Sequence, residues 1–118
     1  MRRIARERGI RLSHRIAELC RYLREEAEEF YLDEQLMKCG PMIGACMIRL
    51  SFSGNRTEYI DNLHNSMLNT MRTKKWLEIA SDRGLIEDRT YISLRRECLD
   101  LIDILMRKTE DLAADLEL

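Results

Sequence analysis

Apolar residues recur along this chain at the three- and four-residue spacing of a helix face, in four successive segments. In the first, from about Ile10 to Phe30, the stripe is Leu12, Ile16, Leu19, Leu23, Ala27 and Phe30. Arg21 with Glu25 and Arg24 with Glu28 stand one turn apart on its other face. In these pairs the base precedes the acid, the weaker orientation, and glutamates crowd the negative end of the helix dipole. Burial, rather than its own charges, must hold this helix. The second segment, to about Ser53, carries Leu36, Cys39, Ile43, Met47 and Leu50. The third carries Tyr59, Leu63, Met67, Thr70, Leu77 and Ala80, with Lys74 interrupting the stripe. The fourth carries Leu94, Cys98, Leu101, Leu105, Leu112 and Leu116, with Thr109 in one slot and Leu99, Ile102 and Met106 widening the face.

The punctuation between segments is consistent with this. Asp33 is placed to cap the second helix, and Asn55 the third, with Glu58 three residues on as a capping-box partner. Gly84 after Arg83 marks a left-handed helix end, and the fourth helix starts after Asp88. Pro41 lacks the amide that would bond the carbonyl of Met37, so a kink is expected near residues 37–41. Beside it, Gly40, Gly44 and Ala45 offer a helix surface that a neighbour can approach closely. The three connections are short, which forces antiparallel neighbours. The pattern therefore predicts an all-α fold: one antiparallel, up-down-up-down four-helix bundle over residues 1–118, with residues 1–9 as a flexible basic arm.

Composition narrows the picture further. Five glycines and one proline among 118 residues are too few for the frequent turns of a sandwich or barrel. Cys20, Cys39, Cys46 and Cys98 each fall on or beside an apolar stripe, and none forms a CxxC pair. No signal-peptide pattern opens the sequence. Free buried thiols in a cytoplasmic protein are the expectation. No apolar run is long enough to span a bilayer. The net charge of −1 excludes a strong overall field for nucleic acid, yet the charge is uneven. Arg2, Arg3, Arg6, Arg8, Arg11 and Arg15 face a lone Glu7 in residues 1–15, whereas residues 25–34 hold six acids and no base.

Candidate chemistry is sparse. A di-iron bundle needs two carboxylate–histidine pairs at i, i+3 and two further glutamates. Here Asp61 with His64 gives one such spacing, and His14 with Glu18 an i, i+4 pair, neither with a second partner. No serine or cysteine stands in a strained elbow, and there is no phosphate-cradling glycine loop or dinucleotide fingerprint. Catalytic, cofactor-binding and metal residues are accordingly expected to be absent. Basic side chains that can follow a phosphate backbone are Arg2, Arg3, Arg6, Arg8, Arg11 and Arg15, with Arg72 and Lys75 one turn apart on the third helix. The arginine-rich and glutamate-rich ends of the first helix also suit a head-to-tail or cyclic contact between copies.

The run Gln35-Leu36-Met37-Lys38-Cys39-Gly40-Pro41-Met42-Ile43-Gly44-Ala45, with Asn55 to Ile60, Trp76-Leu77-Glu78, Gly84-Leu85-Ile86 and Glu97-Cys98, resembles bacterial four-helix bundle proteins. These are the proteins related to those encoded in intervening sequences of 23S ribosomal RNA genes. Order and spacing agree from about Arg11 to Asp111. The chain departs from the family pattern at Cys46, Met47 and Arg49, where the family has Asn, Ile and Glu, and at Asn69 and Arg72, where it has two glutamates. Each set shares a helical face, so a polar patch of the family is replaced together here. The resemblance implies a small cytoplasmic bacterial protein that assembles into a ring, apparently of five subunits, with no settled biochemical role. The function expected is a non-enzymatic homo-oligomer with an interaction or scaffold role. The alternative is an RNA- or DNA-binding accessory protein using the N-terminal arginines.

Overall fold

A computed structural model describes residues 2–117, with side chains described for residues 3–114. The side chains of Arg2 and Leu116 therefore lie outside the described set. Four helices make up the fold: α1 (Arg2–Glu25), α2 (Phe30–Ser51), α3 (Arg56–Asp82) and α4 (Asp88–Glu117). They form an elongated antiparallel bundle of 52 × 22 × 20 Å. Consecutive helices are neighbours and α4 returns to α1, so α1/α3 and α2/α4 are the diagonals. A core of leucines and isoleucines, among them Leu12, Ile16, Leu23, Leu36, Ile43, Leu77, Leu101 and Leu105, runs along the axis.

The boundary between the first two helices differs from the pattern-based expectation. Residues 2–9 are the opening turns of α1 rather than an arm, because Ala5 and Gly9 are buried against the bundle. The helix ends at Glu25, and Ala27 lies in the connecting turn. Phe30 opens α2 instead of closing the stripe of α1. The N-cap of α2 is Glu29, whose carboxylate accepts from the Leu32 amide; Asp33 is already inside the first turn. Arg24 reaches that Asp33 at 3.3 Å rather than pairing with Glu28. Glu28 itself adopts φ +52°, a left-handed conformation that costs a side-chain-bearing residue about 1–2 kcal/mol. Glu28→Gly is therefore expected to raise stability by about 0.5–1 kcal/mol, read as a shift in the urea midpoint. Unchanged or lower stability would show that the turn is not strained.

The other ends follow the sequence signals. The Asn55 side chain accepts from the Glu58 amide at 2.9 Å, and Glu58 reaches back to the Gly54 amide at 2.9 Å. Gly84 has φ +69°; its amide bonds Ser81 O and the Leu85 amide bonds Ala80 O, a Schellman closure of α3.

Along α1 and α2 the backbones meet closely. A Cβ on Gly40 would lie 2.3 Å from Ile16 Cγ2, and one on Gly44 would lie 3.3 Å from Ile10 Cα. Ser13 enters the ladder of α2 at this point. Its hydroxyl donates to Gly40 O at 2.7 Å and accepts from the Gly44 amide at 2.7 Å. The hydroxyl thus bridges the two groups that an unperturbed helix would bond directly. The backbone stays helical from Phe30 to Ser51 across Pro41, with these polar groups satisfied by Ser13.

The buried face of α3 is Leu63, Ser66, Thr70, Thr73, Leu77 and Ala80, with Tyr59 and Met67 only partly buried beside it. Its three hydroxyls each donate to the carbonyl four residues back: Ser66 to Asn62 at 2.7 Å, Thr70 to Ser66 at 2.7 Å and Thr73 to Asn69 at 2.8 Å. Bonded in this way, they can be buried without a polar penalty. Lys74 sits at the edge of the core and holds Glu78 at 2.8 Å.

Candidate functional site

The bundle brings the arginines of α1 into a different relation from the one their spacing suggests. α1 and α4 pack most loosely, leaving a groove of about 680 Å³ lined by Arg8, Arg11, Arg89, Ile92, Ser93, Arg96, Glu97 and Asp100. Much of the positive charge there is engaged across the groove. Arg15 holds Glu97 at 2.8 Å and Ser93 at 2.9 Å, Arg11 holds Glu97 at 3.2 Å, and Arg8 lies 3.7 Å from Asp100. Arg3 pairs within α1 with Glu7 at 3.0 Å, and Arg6 stands over the ring of Phe52 at 6.0 Å. Arg6, Arg8, Arg11 and Arg15 tie α1 to its neighbours, and Arg89 and Arg96 of α4 add to the groove a basic character that the sequence pattern did not single out.

Arg72 and Lys75 lie on the opposite side of the molecule. With Gln35, Lys38, Cys39, Trp76 and Ile79 they line a groove of about 540 Å³ between α2 and α3. Neither has a carboxylate within ion-pair distance among the described residues. Trp76 meets Tyr31 edge-to-face at 5.8 Å. Asn69 approaches Cys46 Sγ at 4.0 Å on the same side. The α2 and α3 positions at which the chain departs from the resembling family therefore do meet in space at Cys46 and Asn69.

All four cysteines are free and buried. Burial, followed by the nearby charge of Glu97, pushes the Cys98 thiol up to about 12; burial, followed by Asp33, pushes Cys20 to about 12. Burial also raises Cys39 and Cys46. Burial of this kind disfavours the thiolate at all four positions. His14 and His64 are exposed on α1 and α3, the two ends of a diagonal. Among the described residues no group of three or more His, Cys, Asp or Glu side chains is arranged to hold a metal ion. Nor is any helix of the described residues long and apolar enough to cross a membrane.

The most unusual surface is the outward face of α2. Phe30, Glu34, Met37, Pro41, Ala45, Ile48 and Phe52 follow one another at helical spacing, directly opposite the buried stripe of Leu32, Leu36, Ile43 and Leu50. Phe30 is 62% exposed and Phe52 74%, with Met37 and Ile48 above 40%. The corresponding face of α1 carries Glu7, Arg11, His14, Glu18 and Arg21, as a solvated helix should. On α4 a second stripe, Ile92, Leu99 and Met106, recurs every seven residues and is also exposed. Leu99 and Met106, which widen the apolar stripe of the fourth segment, point outward rather than into the core. Exposed apolar side chains aligned on one helix face in this way are more than the scattered single ones a monomer surface normally carries.

These observations define a four-helix bundle whose distinctive features lie on its surface rather than in an enclosed site. No family model matches the chain, and no curated protein matches it. Among solved structures it is similar to a protein of unknown function from the S23 ribosomal protein family of Bacteroides thetaiotaomicron, with a TM-score of 0.88. The two share 22% sequence identity, over 93% of this chain and 99% of that one. The likeness establishes the fold, and the neighbour's family agrees with the resemblance drawn from the sequence motifs.

Proposed function

We propose that this chain is a non-catalytic interaction protein of the S23 type that works as a homo-oligomer. The observation that carries this reading is the outward apolar stripe of α2. A helix already buried on one side presents Phe30, Met37, Ile48 and Phe52 on the other. Burying such side chains is favourable by about 1.5–3 kcal/mol each at full coverage, so an isolated bundle leaves a large stabilisation unrealised. The ring assembly implied by the family resemblance would cover them, and a cytoplasmic setting suits four free thiols. The double substitution Met37→Glu, Ile48→Glu is expected to lower the solution mass to that of one chain. Its helical circular dichroism should stay unchanged, because both side chains point away from the core. An unchanged mass would remove α2 from the interface.

A second reading is favoured by Arg72 and Lys75, which have no ion-pair partner among the described residues and line the α2/α3 groove with Trp76. In it the bundle holds a nucleic-acid strand there, rather than along the ion-paired arginines of α1. Filter retention of RNA that weakens steeply with salt, and is lost in Arg72→Glu, Lys75→Glu, is its expected signature. No retention at low salt would dispose of it.

A further inference from the structure

We infer that copies of this chain dock side by side in parallel, the α2 face of one against the α4 face of the next. This deepens the oligomeric reading above and rests on it. Two exposed apolar stripes lie on α2 and α4, which are diagonal in the bundle and face opposite ways. One chain therefore offers two different adhesive surfaces on opposite sides. Such a contact is heterologous: each copy uses one face for one neighbour and the other face for the next.

Charge selects both the partner and its direction. Beside the α2 stripe Glu34 stands near the helix start and Arg49 fifteen residues later. Beside the α4 stripe Arg95 and Glu110 show the same fifteen-residue spacing with the signs reversed. All four are exposed, and Glu34 is held only by a surface contact of 3.4 Å to Lys38. Each pair spans about 22 Å of helix. In an up-down-up-down bundle α2 and α4 run the same way. Copies standing in the same orientation therefore bring Glu34 toward Arg95 and Arg49 toward Glu110 together, while the stripes meet between them. Turning one copy over would oppose like charges at both ends. Docking α2 on α2 in a two-fold pair would also match charges, but it would leave Ile92, Leu99 and Met106 uncovered.

Disulfide trapping tests this directly, because the four native thiols are buried. The double variant Glu34→Cys, Arg95→Cys is expected to give, under mild oxidation, a ladder of covalent multimers on a denaturing gel. Glu34→Cys, Glu110→Cys should give none. A covalent dimer from Glu34→Cys, Arg49→Cys, with no ladder from the first variant, would overturn the inference in favour of an α2–α2 pair. A mixing experiment gives an independent readout. Met37→Glu, Ile48→Glu and Ile92→Glu, Leu99→Glu should each be monomeric alone, yet mixed at high concentration they should form one-to-one dimers through their remaining intact faces. If Ile92→Glu, Leu99→Glu keeps the wild-type mass, α4 takes no part and the inference fails while the oligomeric reading stands. A monomeric wild-type chain would sink that reading itself.

Discussion

Gly40→Val is expected to destabilise the bundle by about 3 kcal/mol, the upper range for overpacking a tight contact. A whole domain of this kind is stable by only about 5–15 kcal/mol, so the effect is large. The reason lies in what the new side chain meets. Even a single Cβ at residue 40 would sit 2.3 Å from Ile16 Cγ2 and 3.0 Å from Ile16 Cβ. Ile16 is β-branched, fully buried and restricted in rotamer, so it cannot swing aside and the two helices must separate. Separation would also pull the Ser13 hydroxyl from Gly40 O and the Gly44 amide, leaving buried backbone groups unpaired. Gly9→Ala supplies the contrast. Its Cβ would meet Met47 Cγ at 2.5 Å and Met47 Cβ at 3.1 Å, near the root of a buried but unbranched side chain, so a smaller loss is expected, partly offset by the preference of a helix for alanine, about 1 kcal/mol. Urea titrations of Gly40→Val, Gly9→Ala and Gly40→Ala with Ile16→Ala would show the pattern. Near-wild-type stability of Gly40→Val would mean that α1 and α2 do not pack at this distance.

The second large effect is a loss of stability in alkali. The Cys98 thiol ionises near 9 in the unfolded chain but is pushed up to about 12 in the fold, first by burial and then by Glu97. Below pH 9 both states are protonated and the thiol contributes no pH dependence. Above it the unfolded chain releases a proton that the folded chain keeps, so stability falls as pH rises from 9 toward 12. At pH 11 the loss from Cys98 is about 3 kcal/mol, and Cys20 adds to it in the same direction. Cys98→Ala should flatten the slope of stability against pH above 9, whatever it does to stability at pH 7. An identical slope in the variant would show that the thiol ionises readily in the folded state.

Much of the fold could be read from the spacing of apolar residues, since Leu12, Ile16, Leu19 and Leu23, or Leu94, Cys98, Leu101 and Leu105, can be sheltered together only on a helix face. The α1–α2 boundary was harder because the apolar step at Phe30 continues the rhythm of α1, and the left-handed residue that ends the connection is Glu28 rather than a glycine. On α3, Ser66 and Thr73 were missed as core because they count as polar; in place, their hydroxyls are satisfied by the helix's own carbonyls. The small-hydroxyl spacing of Ser66, Thr70 and Thr73 was the available signal. The outward stripe of α2 was present in the sequence but obscured, since α2 is apolar on two sides and a single periodic stripe describes only one. The arginines of α1 were visible as charge, but their carboxylate partners Glu97 and Asp100 lie more than eighty residues away.

The proposed oligomer rests on the exposed α2 stripe being covered by a second copy, and the native mass of the unmodified chain in solution tests this most directly. Light scattering on the chromatographic peak should return a stable species at a whole multiple of 14.0 kDa across a wide range of concentration. A mass of one chain at every concentration would contradict it.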